Sequence, residues 1–187
     1  MKPREREILR KAKELFSERG FHSLTVSDIV DSLGIARGTF YLYFKNKDDI
    51  YKRVLEGLVR EISSKLELLP RENPLKQLRK NILEILKLFV EDRELAKLIL
   101  YHPYRLNPEF DSILENFFQD VKELIESSLL RGMEMGIVRE CNVNVVSAAI
   151  LGAFLEVGKE LIEGKIAGIE EAADELLELS LKGLLEE

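Results

Sequence analysis

Apolar residues recur along this chain at three- and four-residue spacing nearly throughout, and runs alternating apolar with polar are hard to find. The pattern predicts an all-α fold of about nine helices. The first runs from about Arg4 to Arg19, with Ile8, Ala12, Leu15 and Phe16 on its inner face. Gly20 ends it, and Phe21 turns back toward Ile29 and Phe40. Val26, Ile29, Val30 and Leu33 give a short second helix. Thr25 is its N-cap, and Asp28 puts a carboxylate in the positive first turn. Gly34 can take the left-handed conformation that ends a helix without steric cost. A short third helix follows, anchored by Ile35, Phe40 and Phe44. The fourth, about 47–69, carries Ile50, Val54, Leu58, Ile62 and Leu66, with Asn46 as cap and Asp48 and Asp49 in its first turn.

Pro70 to Pro74 is the clear linker. Asn73-Pro74, a cap followed by proline at the first helical position, opens a helix to about Val90. Leu78, Ile82, Ile85, Leu86 and Phe89 are its inner face. Glu91 to Tyr101 reads as a shorter helix ended near His102-Pro103. Asn107-Pro108 repeats the signal and opens a long helix, with Phe110, Ile113, Leu114, Phe117, Val121, Leu124, Ile125 and Ser128 on one side. Gly132 and Gly136 mark its end. Residues 145–155, VVSAAILGAFL, are apolar or small on every side, so this helix is expected to be buried all round. It falls short of the roughly 20 apolar residues that a membrane span needs. The last helix carries Ile169, Ala172, Ala173, Leu176, Leu177, Leu181 and Leu184, with Leu179 widening the stripe. These two helices hold more apolar surface than one small body covers. They form either a partner surface or a hairpin packed on the body.

The outward face of the third helix changes the picture. It carries Arg37, Gly38, Thr39, Tyr41, Leu42 and Tyr43, an odd set for a helix that meets only water. Gly38 costs helix stability of about 1 kcal/mol relative to alanine. It makes sense where another backbone, such as a phosphate strand, comes close. Two short helices around a glycine turn are either a plain helical corner or a helix-turn-helix, whose second helix enters the DNA major groove. The run Leu33-Gly34-Ile35-Ala36-Arg37-Gly38-Thr39-Phe40-Tyr41, then Tyr43-Phe44, Lys45 and Lys47, resembles the DNA-binding signature of the TetR family of repressors. Phe16, Gly20 and Phe21 upstream fit the same signature, and the resemblance covers residues 4–55. Two departures stand out. Ala36 sits where the family often has a hydroxyl cap, and Leu42 puts an apolar residue on the reading face, suited to a thymine methyl.

The resemblance implies a homodimeric, sequence-specific DNA-binding transcriptional regulator, a repressor released from a palindromic operator by a small, mostly apolar ligand. The DNA-contacting set is then Thr25, Ser27, Arg37, Gly38, Thr39, Tyr41, Leu42, Tyr43 and Lys47. Lys47 stands against the dipole at its helix start, which a phosphate contact explains. The implied division is a DNA-binding domain at 1–46 and a regulatory and dimerisation domain at 47–187, with the fourth helix as connector. In the family the last two helices of each subunit form a four-helix dimer interface. That implies an interface here at Ala149, Gly152, Ala153, Ala173, Leu177 and Leu184.

Composition and charge refine this reading. The net charge of −6 argues against a nucleic-acid partner until it is divided along the chain. Residues 1–60 hold 13 basic and 9 acidic side chains, a net of +4, and the remainder 15 and 25, a net of −10. A basic head on an acidic body suits a protein that presents one end to DNA. Residues 1–20 are charged throughout, unlike a signal peptide, and Cys141 is the single cysteine, so a cytoplasmic address is expected. A ligand pocket would draw on Tyr101, His102, Tyr104, Phe110, Phe117, Gln119 and Phe154, although aromatics at helical spacing also read as core. Neither His22 nor His102 has a glutamate three residues before it, so no di-iron pattern arises. No phosphate loop, nucleophile elbow or metal-ligand cluster appears, and no enzyme activity, metal or cofactor is expected. The alternative is a helical dimerisation or scaffold protein without a DNA-binding role. Arg37, Thr39, Tyr41 and Lys47 on one face separate the two.

Overall fold

The apolar period is realised as helices. The computed structural model describes residues 2–91, 96, 100 and 108–182. Among these residues there are eight helices and no strand. They are α1 Pro3–Ser23, α2 Val26–Leu33, α3 Arg37–Tyr41, α4 Lys47–Ser63, α5 Pro74–Glu91, α6 Pro108–Glu134, α7 Val143–Ile162 and α8 Ile169–Lys182. The helix expected over 91–101 lies almost wholly outside the described residues. No helix among them is long and apolar enough to cross a membrane.

The chain divides into two compact units, Met1–Arg60 with Pro103–Ile113, and Glu61–His102 with Leu114–Glu187. The expected division at 46/47 follows role, whereas packing divides the chain inside α4. The reason lies in the first half of α4, where Ile50, Tyr51, Val54 and Leu55 are buried. Tyr51 packs edge-on against Phe16 at 4.8 Å between ring centroids and lies 4.6 Å from Phe21. Phe110, at the start of α6, completes this cluster at 4.9 Å from Tyr51 and 5.6 Å from Phe21. Arg53 ties α4 to α1 through Glu5 at 2.9 Å and lies over the Phe44 ring. The stop expected at Gly20 is a kink instead. Gly20 takes φ 75°, and α1 continues for a further turn to Ser23.

The apolar period of α4 runs on through Leu66 and Leu69, but the helix ends at Ser63. Beyond it the backbone finds a different partner. The Asn81 side chain donates to the Glu67 carbonyl at 2.6 Å and accepts from the Glu67 amide at 3.2 Å. Asn81 is buried, so these bonds replace the helical ones that Glu67 would otherwise need. The segment keeps the inward direction of Leu69, which is buried, without staying helical.

Helix α5 packs on both α7 and α8. Arg79 braces the α5–α8 contact, with Nε 2.6 Å from Asp174 and Nη2 2.8 Å from Glu170. The guanidinium holds the Asp174 carboxyl below its ordinary range. On α7, a methyl group at Gly158 would lie 2.7 Å from two carbons of the buried Phe89 ring on α5. Gly158→Ala therefore forces a core aromatic to move. Urea denaturation is expected to show a loss of about 1–3 kcal/mol, the usual cost of overpacking.

Helix α7 is not buried all round within the chain. Val145 is 62% exposed, and Ala148, Ala149 and Gly152 on the same face are exposed as well. Its opposite side supplies Ser147, Phe154, Gly158 and Leu161 to the core.

Candidate nucleic-acid interface and an internal cavity

Local chemistry fixes α2 and α3. The Thr25 hydroxyl accepts from the Asp28 amide at 3.3 Å, and the Asp28 carboxylate accepts from the Thr25 amide at 2.8 Å, a reciprocal capping box. The Thr25 hydroxyl also donates to that carboxylate. These bonds, with Arg19 nearby, hold the exposed Asp28 carboxyl below the usual carboxylate range. Gly34 adopts φ 62°, ψ 32°, and the Ile35 amide reaches back to Val30 O at 3.0 Å. That closes the turn. Ala36 offers no side-chain cap, as its methyl group requires, and α3 is a single short turn-and-a-half held by the buried Phe40. Phe44 lies 5.4 Å from Phe40 and is also buried.

The expected DNA-contacting residues fall around this corner as follows. Arg37 and Gly38 are exposed at the start of α3, Thr39 and Tyr43 are half-buried, and Tyr41 and Leu42 are 55% and 80% exposed. Thr25 is exposed and Ser27 half-buried at the start of α2. The Arg37 guanidinium donates to the Ser27 hydroxyl, which links the two helices on this side. Lys47 behaves differently. Its ammonium donates to the Phe21 carbonyl at 2.9 Å and lies 4.2 Å from the Phe21 ring centroid. That position closes the corner after α1 and gives the cation a structural partner of its own.

The second unit holds a cavity of about 480 Å³. Its walls are mainly aliphatic and include Leu69, Ile82, Ile85, Val121, Ile125 and Ile150, with Phe154 as the one aromatic among the described residues. Polar lining comes from Asn81, Ser128, Arg139, Cys141, Ser180 and Lys182. Of the described aromatic and polar residues expected to line a pocket, only Phe154 does so. Phe110 is committed to the aromatic cluster of the first unit, and Phe117 is buried away from the cavity. Gln119 is exposed and donates to Glu123 at 2.9 Å. Tyr101, His102 and Tyr104 lie outside the described residues. The lining that sequence reading missed consists of aliphatic side chains at helical spacing, the same signal that a solid core gives.

The residues expected at a partner surface divide. Ala149 and Gly152 are exposed, and Ala153 is half-buried. Ala173 is fully buried against its own chain and Leu177 half-buried, because α8 spends that side on α5. Leu184 lies outside the described residues. Among the described residues no cluster of histidine, cysteine and carboxylate groups could hold a metal ion.

Known proteins with the same features are regulators. The family described as bacterial regulatory proteins, tetR family, matches residues 8–54. An uncharacterized HTH-type transcriptional regulator of Bacillus subtilis, YdgC, is 29% identical over 150 residues, which are 74% of this chain and 75% of that protein. A TetR/AcrR-family transcriptional regulator from Thermobifida fusca superposes with a TM-score of 0.80 at 21% identity, covering 99% of this chain and 100% of that one. The regulator FadR from Bacillus subtilis, crystallised with stearoyl-CoA, gives 0.75 at 24% identity, covering 96% and 99%. The helix-turn-helix at α2–α3 lies within the matched segment: residues 8–54 match the tetR family of bacterial regulatory proteins, and the chain as a whole shares the all-helical fold of these solved regulators.

Proposed function

We propose that this protein is a homodimeric repressor that binds a pseudo-palindromic operator and leaves it when a small, mostly apolar molecule occupies the cavity of its second unit. The observation that carries the reading is the corner at α2–α3. Arg37 is held by Ser27, and Tyr41 and Leu42 stand uncovered beside it. An exposed guanidinium with one donor on Ser27 keeps others for a guanine edge, and Leu42 suits a thymine methyl. Thr25, Ser27 and Tyr43 flank these residues and serve to position the helix on the phosphates.

Two further features support the finer points. The exposed small-residue face of α7 suits a second copy of the chain, since helices approach closely where side chains are short. The aliphatic cavity matches the size and character of a small-molecule site. The B. subtilis FadR, whose structure holds stearoyl-CoA, makes an effector in the body a sensible expectation here. Helix α4 begins beside the DNA-facing corner, and the segment that follows it supplies Leu66 and Leu69 to the cavity wall. A ligand that shifts this wall can change DNA affinity only through its differential affinity for the two states, typically 1–3 kcal/mol.

Selection of binding sites from random DNA tests the reading directly. The selected sequences are expected to show a dyad whose half-sites lie about 34–36 Å apart, one helical turn. Selected sites without a dyad would remove the dimeric operator from the proposal. No enrichment at all would return the chain to a scaffold role.

A further inference from the structure

The body of this protein is acidic, yet among the described residues the cavity in it is lined by two cations and no carboxylate. Residues 61–187 carry 25 acidic and 15 basic side chains, and of these only Arg139 and Lys182 line the cavity. Lys182 is paired with Glu178 at 3.1 Å. Arg139 makes no ion pair among the described residues. Its guanidinium donates only to the Glu140 carbonyl, at 3.1 Å, which leaves most of its donors unused. The Ser128 side chain, also in the lining, has no hydrogen-bond partner among the described residues. The rest of the described wall is mainly aliphatic, with Asn81, Cys141 and Ser180 as further polar groups and Phe154 as its aromatic ring. Such a wall favours a flexible alkyl chain over a flat aromatic system, which would draw on more ring faces.

We propose that the cavity takes an amphipathic anion, an acyl chain ending in a negatively charged head, with the chain among the aliphatic residues and the head on Arg139. The assignment rests on the reading of this cavity as the effector site and narrows its ligand class. Arg139 is exposed and so stands at the solvent-facing edge of the cavity, where it can meet an anionic head while the chain of the ligand is covered. A neutral molecule of the same length would gain the apolar contacts and forgo the charge-assisted hydrogen bonds. An amine would meet repulsion. Cys141, the sole cysteine, lines the same cavity and is half-buried, so it reports occupancy without any engineered label.

The experiment uses the full chain and four probes of equal chain length: laurate, lauroyl-CoA, dodecanol and dodecylamine. Calorimetry gives affinity, and the rate of maleimide labelling at Cys141 gives location. Laurate or lauroyl-CoA is expected to bind about tenfold or more tightly than dodecanol, the gain from hydrogen bonds to a charged partner, and to slow labelling. Whichever of the two binds more tightly identifies the head as a carboxylate or a nucleotide thioester, and either outcome supports the class. Arg139→Gln is expected to abolish the preference for anions while leaving dodecanol binding unchanged, and Arg139→Lys to restore part of it. A thermal melt of each variant checks that it folds. Lys182→Gln, with its carboxylate partner already in place, should matter less. Equal affinity for laurate, lauroyl-CoA and dodecanol overturns the proposal, as does tighter binding of dodecylamine. Anion binding that leaves Cys141 labelling unchanged overturns the location. If no probe binds, the effector reading of the cavity fails with it, and operator binding by α2–α3 stands apart from that result.

Discussion

Arg37→Ala is expected to lower affinity for the selected operator by about 1–3 kcal/mol, roughly ten- to hundredfold, and to relax base preference at one position in each half-site. The basis is geometric. Arg37 opens α3, the part of a recognition helix that reaches base edges, and its guanidinium is exposed while fixed by the Ser27 hydroxyl. A pre-positioned fork loses less side-chain freedom on binding than a free one. Ser27→Ala should therefore reproduce part of the loss while keeping the preferred base. Lys47→Ala supplies the contrast. Its ammonium holds the Phe21 carbonyl and ring, so its removal should loosen the corner after α1 and weaken binding to all sequences about equally. Fluorescence anisotropy on the operator and on single-base variants of it measures both effects. If Arg37→Ala weakens every sequence by the same factor, Arg37 is a phosphate clamp and the base reader lies elsewhere on α3.

The contrast between the two sites explains how far the sequence could be read. Everything that defines the α2–α3 corner lies within twenty consecutive residues and acts locally. Thr25 and Asp28 cap one helix, Gly34 supplies the left-handed turn, and Ile29, Phe40 and Phe44 bury one face. Such features survive in a one-dimensional reading because their partners are near in sequence. The cavity has no such signature. Its wall takes residues from the segment after α4, from α5, α6, α7 and α8 and from the α6–α7 connection, and most are aliphatic side chains that core packing would equally require. The aromatic residues drew attention through size alone. Phe110 answers to Phe21 and Tyr51, nearly ninety and sixty positions away, and only tertiary structure shows that.

The end of α4 shows the same division in a smaller compass. Periodicity indicated correctly that Leu66 points inward, but not that the backbone leaves the helix at Ser63. The deciding group, the Asn81 side chain on Glu67, comes from fourteen residues downstream. Helix α7 inverts the problem. Its apolar composition suggested complete burial, and one chain alone buries only one side. Composition measures how much surface must be covered. It does not say by which chain.

That remaining face leads to the second large effect. Gly152→Arg is expected to convert the proposed dimer to a folded monomer and to weaken operator binding about a hundredfold or more, the gain that linking two half-site readers provides. Gly152 is exposed, and beyond its chain neighbours and its own helix backbone no atom of the described residues lies within 4 Å of where its Cβ would be, so they give no steric need for glycine there. Arginine in a helix interior is better than glycine by nearly 1 kcal/mol, and a monomer carrying it should be no less stable. Between two copies the outcome differs. A helix packed against the face of Val145, Ala148, Ala149 and Gly152 would have to bury an unpaired guanidinium, which costs several kcal/mol. Ala173 gives no comparable test, since it is already buried within its own chain and any larger residue there would damage folding. Light scattering with size exclusion reads the assembly, thermal melting reads the fold, and anisotropy reads DNA affinity. A variant that remains dimeric, with wild-type melting and full operator affinity, would move the interface off this face of α7.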